Sequence, residues 1–281
     1  MKNALSVDVE DWFQVGAFEK VIARDAWETL PRRVEANTGR VLDLFAQAGV
    51  KATFFTLGWI AERHTALVRR IAEAGHEVAS HGWDHRRVFT MDEAAFRDDL
   101  RRARAAIEDA AGAKVAGYRA PSFSIDARTP WAHAVLAEQG YAYSSSVAPV
   151  RHDHYGWPES PRFAWRPLPD SDLVELPVTT VEVAGRRLAA GGGGFFRLLP
   201  YAFSSWAVGR VNREERRPAV FYFHPWEIDP DQPRVANAPL KSRLRHYTNL
   251  STMEPKLLKL LGQHEWTRVD EVALAEQARL A

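Results

Sequence analysis

Short apolar runs alternate with longer amphipathic stretches along most of the chain. Leu5-Ser6-Val7-Asp8-Val9 alternates at the period of a strand, and residues 33–48 carry apolar positions at helical spacing up to Gly49. The pattern then repeats. Ala52–Thr56 predicts a strand and Ile60–Ala74 a helix stopped by Gly75. Glu77–Ser80 predicts a strand, and 92–111 a helix that Asp92 can cap and Gly112 ends. Val115–Tyr118 and Tyr141–Tyr143 predict strands around a helix at 129–139. Further strands are expected at 173–176, 219–223 and 266–269, with helices at 201–215 and 254–262. Repeated strand–helix units imply a parallel sheet with helices outside it, and seven or eight units in 281 residues favour a barrel over an open sheet.

Two stretches break the rhythm. Ala148 to Leu173 is irregular and holds five prolines, which suits either a lid or binding loop or a packed surface excursion. Gly191-Gly192-Gly193-Gly194 lacks the lysine and spacing of a phosphate loop and reads as a flexible turn or a close backbone approach.

Composition narrows the chemistry. Lys and Arg total 37 against 36 Asp and Glu, a net charge of +1, which argues against a nucleic-acid partner bound through overall charge. With no cysteine, disulfides and thiolates are excluded, and any metal must be held by His, Asp or Glu. No apolar run reaches the 18 residues of a membrane span. Asp8 comes too early for a signal peptide, so the expected location is cytoplasmic.

Ionisable side chains gather at the C-terminal ends of the expected strands, where barrels of this class place their sites. The first strand ends in Asp8-Val9-Glu10-Asp11, the third in His81-Gly82-Trp83-Asp84-His85, the fourth in Arg119-Ala120-Pro121, and the one at 219–223 in His224-Pro225-Trp226-Glu227. On a helical turn, His81 and His85 would share a face and could reach one cation. Two imidazoles plus one carboxylate from Asp8, Glu10 and Asp11 form an open catalytic metal set, with another of the three free to accept a proton from bound water. Such a set suits zinc, cobalt, nickel, iron or manganese, and the sequence does not choose among them. Arg119 could hold a carboxylate bidentately, and His224 at a strand end facing the metal is a candidate general acid. Trp12, Trp83 and Trp226 lie close to these groups and suit core packing or stacking on a sugar face.

In joint order and spacing these motifs resemble the NodB-homology polysaccharide deacetylases, carbohydrate esterase family 4, and most of all a branch linked to bacterial exopolysaccharide loci with a C-terminal extension. The likeness runs from Leu5–Phe13 to His224-Pro225-Trp226. It implies a distorted (β/α)7 barrel of α/β class, a single catalytic domain over 1–281, with 228–281 as an extension packed on the barrel. It implies a divalent metal, zinc first, held by His81, His85 and either Glu10 or Asp11. Asp8 would be the base, Arg119 its holder and His224 the acid. The reaction implied is N-deacetylation of an N-acetylated glycan. Where the family places a further carboxylate motif, this chain has Tyr143-Ser144-Ser145-Ser146, so the partner that orients His224 is not identified. A related amidohydrolase acting on a small amide, a metal-free carboxylate-pair glycosidase and a non-catalytic glycan-binding barrel are the alternatives. The segment Ser242–Asn249, basic and aromatic, could bind a glycan or an anionic carrier, close over the barrel, or be a solvated turn.

Overall fold

The computed structural model describes residues 1–152 and 155–281. Its strands are β1 (Asn3–Val9), β2 (Thr53–Thr56), β3 (Glu77–Ser80), β4 (Gly117–Tyr118), β5 (Tyr143–Ser144), β6 (Val174–Glu175), β7 (Thr180–Val183), β8 (Arg186–Ala189), β9 (Val220–Phe223) and β10 (Trp266–Thr267). The helices are α1 (Val34–Ala48), α2 (Gly58–Arg63), α3 (Thr65–Glu73), α4 (Glu93–Ala111), α5 (Ala132–Glu138), α6 (Gly193–Leu198), α7 (Tyr201–Arg213), α8 (Leu240–Tyr247), α9 (Leu250–Gln263) and α10 (Val269–Leu280).

The sheet is parallel and runs β1-β2-β3-β4-β5-β6 in chain order, with β9 returning to the other side of β1 and the short β10 pairing the start of β1 on the β2 side. Between β6 and β9 there is no ladder among the described residues. The gap is bridged by single contacts: Val220 N–H donates to Thr179 Oγ1 at 2.6 Å, and Tyr222 N–H to the Gly191 carbonyl at 2.8 Å. This irregular seam makes the molecule a distorted (β/α)7 barrel. β1 is buried along its whole length, as a strand covered on both faces must be.

Local signals explain most element ends. Gly49 and Gly112 take the left-handed conformation that closes α1 and α4, and Asp92 accepts from the Ala95 N–H to open α4. The helix expected over 60–74 is two helices, α2 and α3, broken at His64. The hairpin β7–β8, turning at Ala184-Gly185 with positive φ at both, and the terminal helix α10 were not expected from the pattern. Val269, taken as the end of a strand, opens α10 instead. The irregular stretch after Ala148 contains Asp153 and His154, which lie outside the described residues. Trp157, Phe163 and Trp165 from it pack on the core, and Trp165 bridges to Glu175.

The N-terminal end of the barrel is closed by a partly buried carboxyl. Glu77 receives hydrogen bonds from Tyr143 Oη at 2.9 Å and from the Asp270 N–H at 3.3 Å, and also from Thr53 Oγ1. Burial, reinforced by Asp270, pushes its pKa up to about 7. The folded chain therefore holds a proton there that the unfolded chain gives up near the ordinary glutamate value of 4.5, so stability is lost as pH rises from about 4.5 through 7. We expect Glu77→Gln to match the wild type at pH 5 and to melt higher at pH 8, by roughly 2–4 °C, in thermal denaturation followed by circular dichroism.

Candidate metal centre and active site

The site is assembled at the C-terminal ends of β1, β3, β4 and β9, as parallel pairing in register requires. Asp8 is the penultimate residue of β1, and Glu10 follows the strand directly. Both are buried, which isolates their charge from water.

His81 leaves β3 and His85 stands four residues on, but they do not share a helix. Gly82 (φ 75°) and His85 (φ 60°) adopt left-handed backbone and fold the loop so that the two rings converge, with centroids 5.5 Å apart. This corrects the helical-turn expectation: the i,i+4 spacing brings them together through a loop. α4 braces that loop, since Asp99 accepts the Trp83 N–H at 3.2 Å and the Arg102 guanidinium lies 3.4 Å from the Trp83 ring centre. A Cβ on Gly82 would stand 2.9 Å from Asp99 Oδ2.

Glu10, His81 and His85 each offer a ligand atom within 4.8 Å of the other two. His81 Nδ1 lies 2.8 Å from the Arg119 carbonyl, so it carries the proton and leaves Nε2 as a bare lone pair. Burial lowers the His81 pKa to about 4, keeping the ring neutral. Burial would raise the Glu10 carboxyl, but the His85 and His224 rings beside it prevail and hold it at about 2. A neutral imidazole and an ionised carboxylate are the forms a cation requires. Glu10 Oε2 is 3.0 Å from His85 Nε2 yet makes no directed hydrogen bond, being a buried oxygen without a partner. Two donor atoms this close, and not aimed at each other, fit a common cation between them. The residues present therefore fit a divalent metal.

Asp11 lies elsewhere. Its carboxylate accepts the backbone N–H groups of Trp12 (2.9 Å), Arg33 (2.8 Å) and Val34 (3.1 Å), capping the N-terminus of α1 from a distant part of the chain. Of the two acidic candidates, the structure brings Glu10 and not Asp11 to the histidines.

Asp8 Oδ1 receives Arg119 Nη1 at 2.7 Å. The contact is single, not the bidentate pair expected from the sequence, because the other donors are taken. Nη1 also donates to Ser6 Oγ at 2.7 Å, Nη2 to Ser145 Oγ at 2.8 Å, and Nε to the Ser145 carbonyl at 3.0 Å. Arg119 is fully buried, so Asp8 is held in one orientation. The Tyr143–Ser146 segment thus serves to fix Arg119, and Ser145 supplies two of its four acceptors.

His224 follows β9. Its Nδ1 donates to Glu227 Oε1 at 2.8 Å, which leaves Nε2 facing Glu10 Oε1 at 3.3 Å. Burial disfavours the charged ring, but Glu10, Glu227 and Asp8 overcome it and raise the pKa to about 9. Glu227 is the orienting partner the sequence did not identify. The signal was present as His224-Pro225-Trp226-Glu227, where a 3-10 turn brings i and i+3 to one side. Trp226 stacks on His224 at 5.0 Å and donates its indole N–H to Glu10 Oε1 at 3.2 Å. These groups floor a cleft of about 190 Å³, whose walls include Tyr222, Tyr155, Arg87 and Arg245. Arg245 comes from α8, so the basic-aromatic segment is a helix on the cleft rim and not a turn. The tetraglycine tract is a close approach, since a Cβ on Gly193 would lie 2.3 Å from Glu227 Oε1.

Residues 25–144 match the family described as polysaccharide deacetylase. The chain thus carries a polysaccharide deacetylase domain over that segment. Residues 145–274 match a domain of unknown function, DUF3473, and the boundary between the two falls inside the sheet, between β5 and β6. Among characterised relatives, the chain is 40% identical over 73 residues to a chitooligosaccharide deacetylase of Rhizobium leguminosarum bv. trifolii, spanning 26% of this chain and 34% of the relative. It is 30% identical over 113 residues to a peptidoglycan deacetylase of Helicobacter pylori, spanning 40% and 38%. The chain thus spans about a third of the length of the curated relatives it matches. A putative polysaccharide deacetylase from Mycobacterium smegmatis shares the fold over 99% of this chain and 91% of its own, at a TM-score of 0.62 and 21% identity. A family 4 carbohydrate esterase pseudoenzyme from Bacillus anthracis has a related fold, at a TM-score of 0.50 and 14% identity over 97% of this chain and 65% of its own.

The two acidic candidates separate experimentally. Glu10→Ala should weaken divalent-metal binding by more than about 100-fold in isothermal titration while the protein stays folded. Asp11→Ala should leave metal affinity unchanged and cost about 1–2 kcal/mol of stability in urea denaturation.

Proposed function

We propose that this chain is a metal-dependent N-deacetylase of an amino-sugar polysaccharide or glycan intermediate. The observation that carries the proposal is the convergence, in one cleft, of a Glu10–His81–His85 donor set, a carboxylate locked by a buried arginine, and a histidine locked by a buried carboxylate. The Bacillus anthracis pseudoenzyme indicates that this fold does not by itself entail catalysis, so the completeness of the set matters more than the architecture.

Glu10, His81 and His85 would hold the cation, with zinc the first choice and cobalt, nickel, iron or manganese compatible with the same donors. Such a cation supplies Lewis acidity toward water and the acetyl carbonyl. The remaining steps belong to the chain. Asp8 has one oxygen held by Arg119, while Oδ2 accepts no hydrogen bond among the described residues and is available to take the proton of the attacking water. Water oxygen bonds to the acetyl carbon and the carbon–nitrogen bond breaks. His224 donates its Nε2 proton to the departing amine, and Glu227 on Nδ1 keeps the ring in the tautomer and orientation for that transfer. Acetate and a free amino sugar result. Tyr222 offers aromatic surface beside these groups for the apolar face of a sugar ring.

The test is acetate release from a panel of N-acetylated glycans of different sugar and length, with acetamide-bearing non-sugars as controls. Release from glycans alone supports the proposal, and release only from small amides replaces it with the amidohydrolase alternative. Asp8→Asn should keep the fold and metal affinity but lower kcat by at least about 100-fold, and His224→Gln should do the same. Wild-type turnover in Asp8→Asn would remove the base from Asp8.

A further inference from the structure

We propose that Arg197 is a positioning residue for His224: it fixes the Glu227 carboxylate that orients the ring and ties that carboxylate to the rim helix α8. This rests on the role given to His224 above.

Arg197 and Glu227 are each no more than 1% exposed. The two carboxylate oxygens divide their work. Oε1 accepts His224 Nδ1 at 2.8 Å and the His224 backbone N–H at 3.1 Å, while Oε2 accepts Arg197 Nε at 2.7 Å. Without the guanidinium, Oε2 keeps no hydrogen bond among the described residues, and the carboxylate is held through Oε1 alone. The other guanidinium nitrogens run to the last turn of α8. Nη1 donates to the Thr248 carbonyl at 2.5 Å and the His246 carbonyl at 3.2 Å, and Nη2 to the Arg245 carbonyl at 3.2 Å. These are carbonyls that a helix end leaves without intrahelical partners, at the pole that favours a cation. The Arg197 backbone is itself pinned, since its carbonyl accepts Asn249 Nδ2 at 3.0 Å and Lys256 Nζ at 3.1 Å.

α6 is shaped for this contact. Gly193 and Arg197 are four residues apart, on one face of the helix. The missing side chain at Gly193 leaves the notch into which Glu227 fits, and Arg197 closes the notch one turn on. A lysine cannot reproduce the arrangement, because a point charge lacks the fork that serves a carboxylate and three carbonyls at once. α8 also contributes Ser242 and Arg245 to the cleft wall, so one guanidinium joins the substrate-facing rim to the acid. Arg197, Glu227 and His224 all lie within 145–274, which gives the segment of unknown function a direct part in catalysis.

The test combines kinetics with a spectroscopic readout on the full chain. In 15N-histidine-labelled protein, the Nδ1 proton of His224 should appear as a low-field resonance typical of an imidazole bonded to a carboxylate. Arg197→Met should lose or shift it, with kcat on the preferred glycan falling about 10–100-fold and KM changing little. Arg197→Lys should recover only part of kcat. Arg197→Met strands a buried carboxylate and can impair folding, so the double variant Arg197→Met/Glu227→Gln, which removes both charges, is measured beside it. It should fold and show the same loss of kcat. Gly193→Ala, which pushes on Glu227 from the other side, should weaken the resonance with Arg197 intact. A folded Arg197 variant, single or double, with wild-type kcat overturns the proposal, as does a His224 resonance unaffected by Arg197→Met. Absence of acetate release by the wild type overturns the acid role of His224 and leaves the resonance to report on positioning alone, so the two failures are distinguishable.

Discussion

Everything at the candidate site follows from one constraint: β1 ends by delivering two carboxylates, Asp8 and Glu10, into a place that water barely reaches. A buried carboxylate is costly unless it is paired and hydrogen-bonded. The surrounding architecture meets that demand separately for each. Asp8 receives a fully buried arginine from just after β4, and Glu10 receives two imidazoles from the loop after β3, a third from the end of β9 and an indole N–H. The parallel register fixes which strand ends meet, and so which side chains can answer those charges.

The supporting groups have the same character. His81 is held by a backbone carbonyl, the histidine loop by Asp99, Arg119 by two serines and His224 by Glu227. Each catalytic candidate thus has a partner that fixes its tautomer or its direction, as a preorganised site requires. At the opposite end of the barrel, Glu77 closes the structure as a carboxyl whose pKa burial pushes up to about 7, a structural role that leaves the chemistry to the other end.

Much of this was legible in the chain. Strands β1, β2, β3 and β9 read clearly because their apolar runs are continuous and glycines stop the helices between them. The ionisable residues at their ends were visible for the same reason. What the sequence hid were relations between distant segments. Asp11 and Glu10 are one residue apart and chemically alike, and only the position of the α1 N-terminus decides that Asp11 is a cap. Glu227 was in view beside His224, but its buried arginine comes from 30 residues earlier. The hairpin β7–β8 escaped because Arg186 and Arg187 break the apolar alternation, and α10 because Trp266-Thr267-Arg268-Val269 reads as one strand until the chain turns at Arg268. The histidine pair was found by spacing, yet its geometry depends on a left-handed His85 that no periodicity announces.

The most direct measurement is anomalous diffraction at the zinc edge from crystals of the zinc-loaded chain. The account predicts one strong peak bounded by Glu10 Oε2 and the imidazole nitrogens of His81 and His85, with Asp11 still on the α1 N-terminus. A peak coordinated by Asp11, or none between the two histidines, would contradict it.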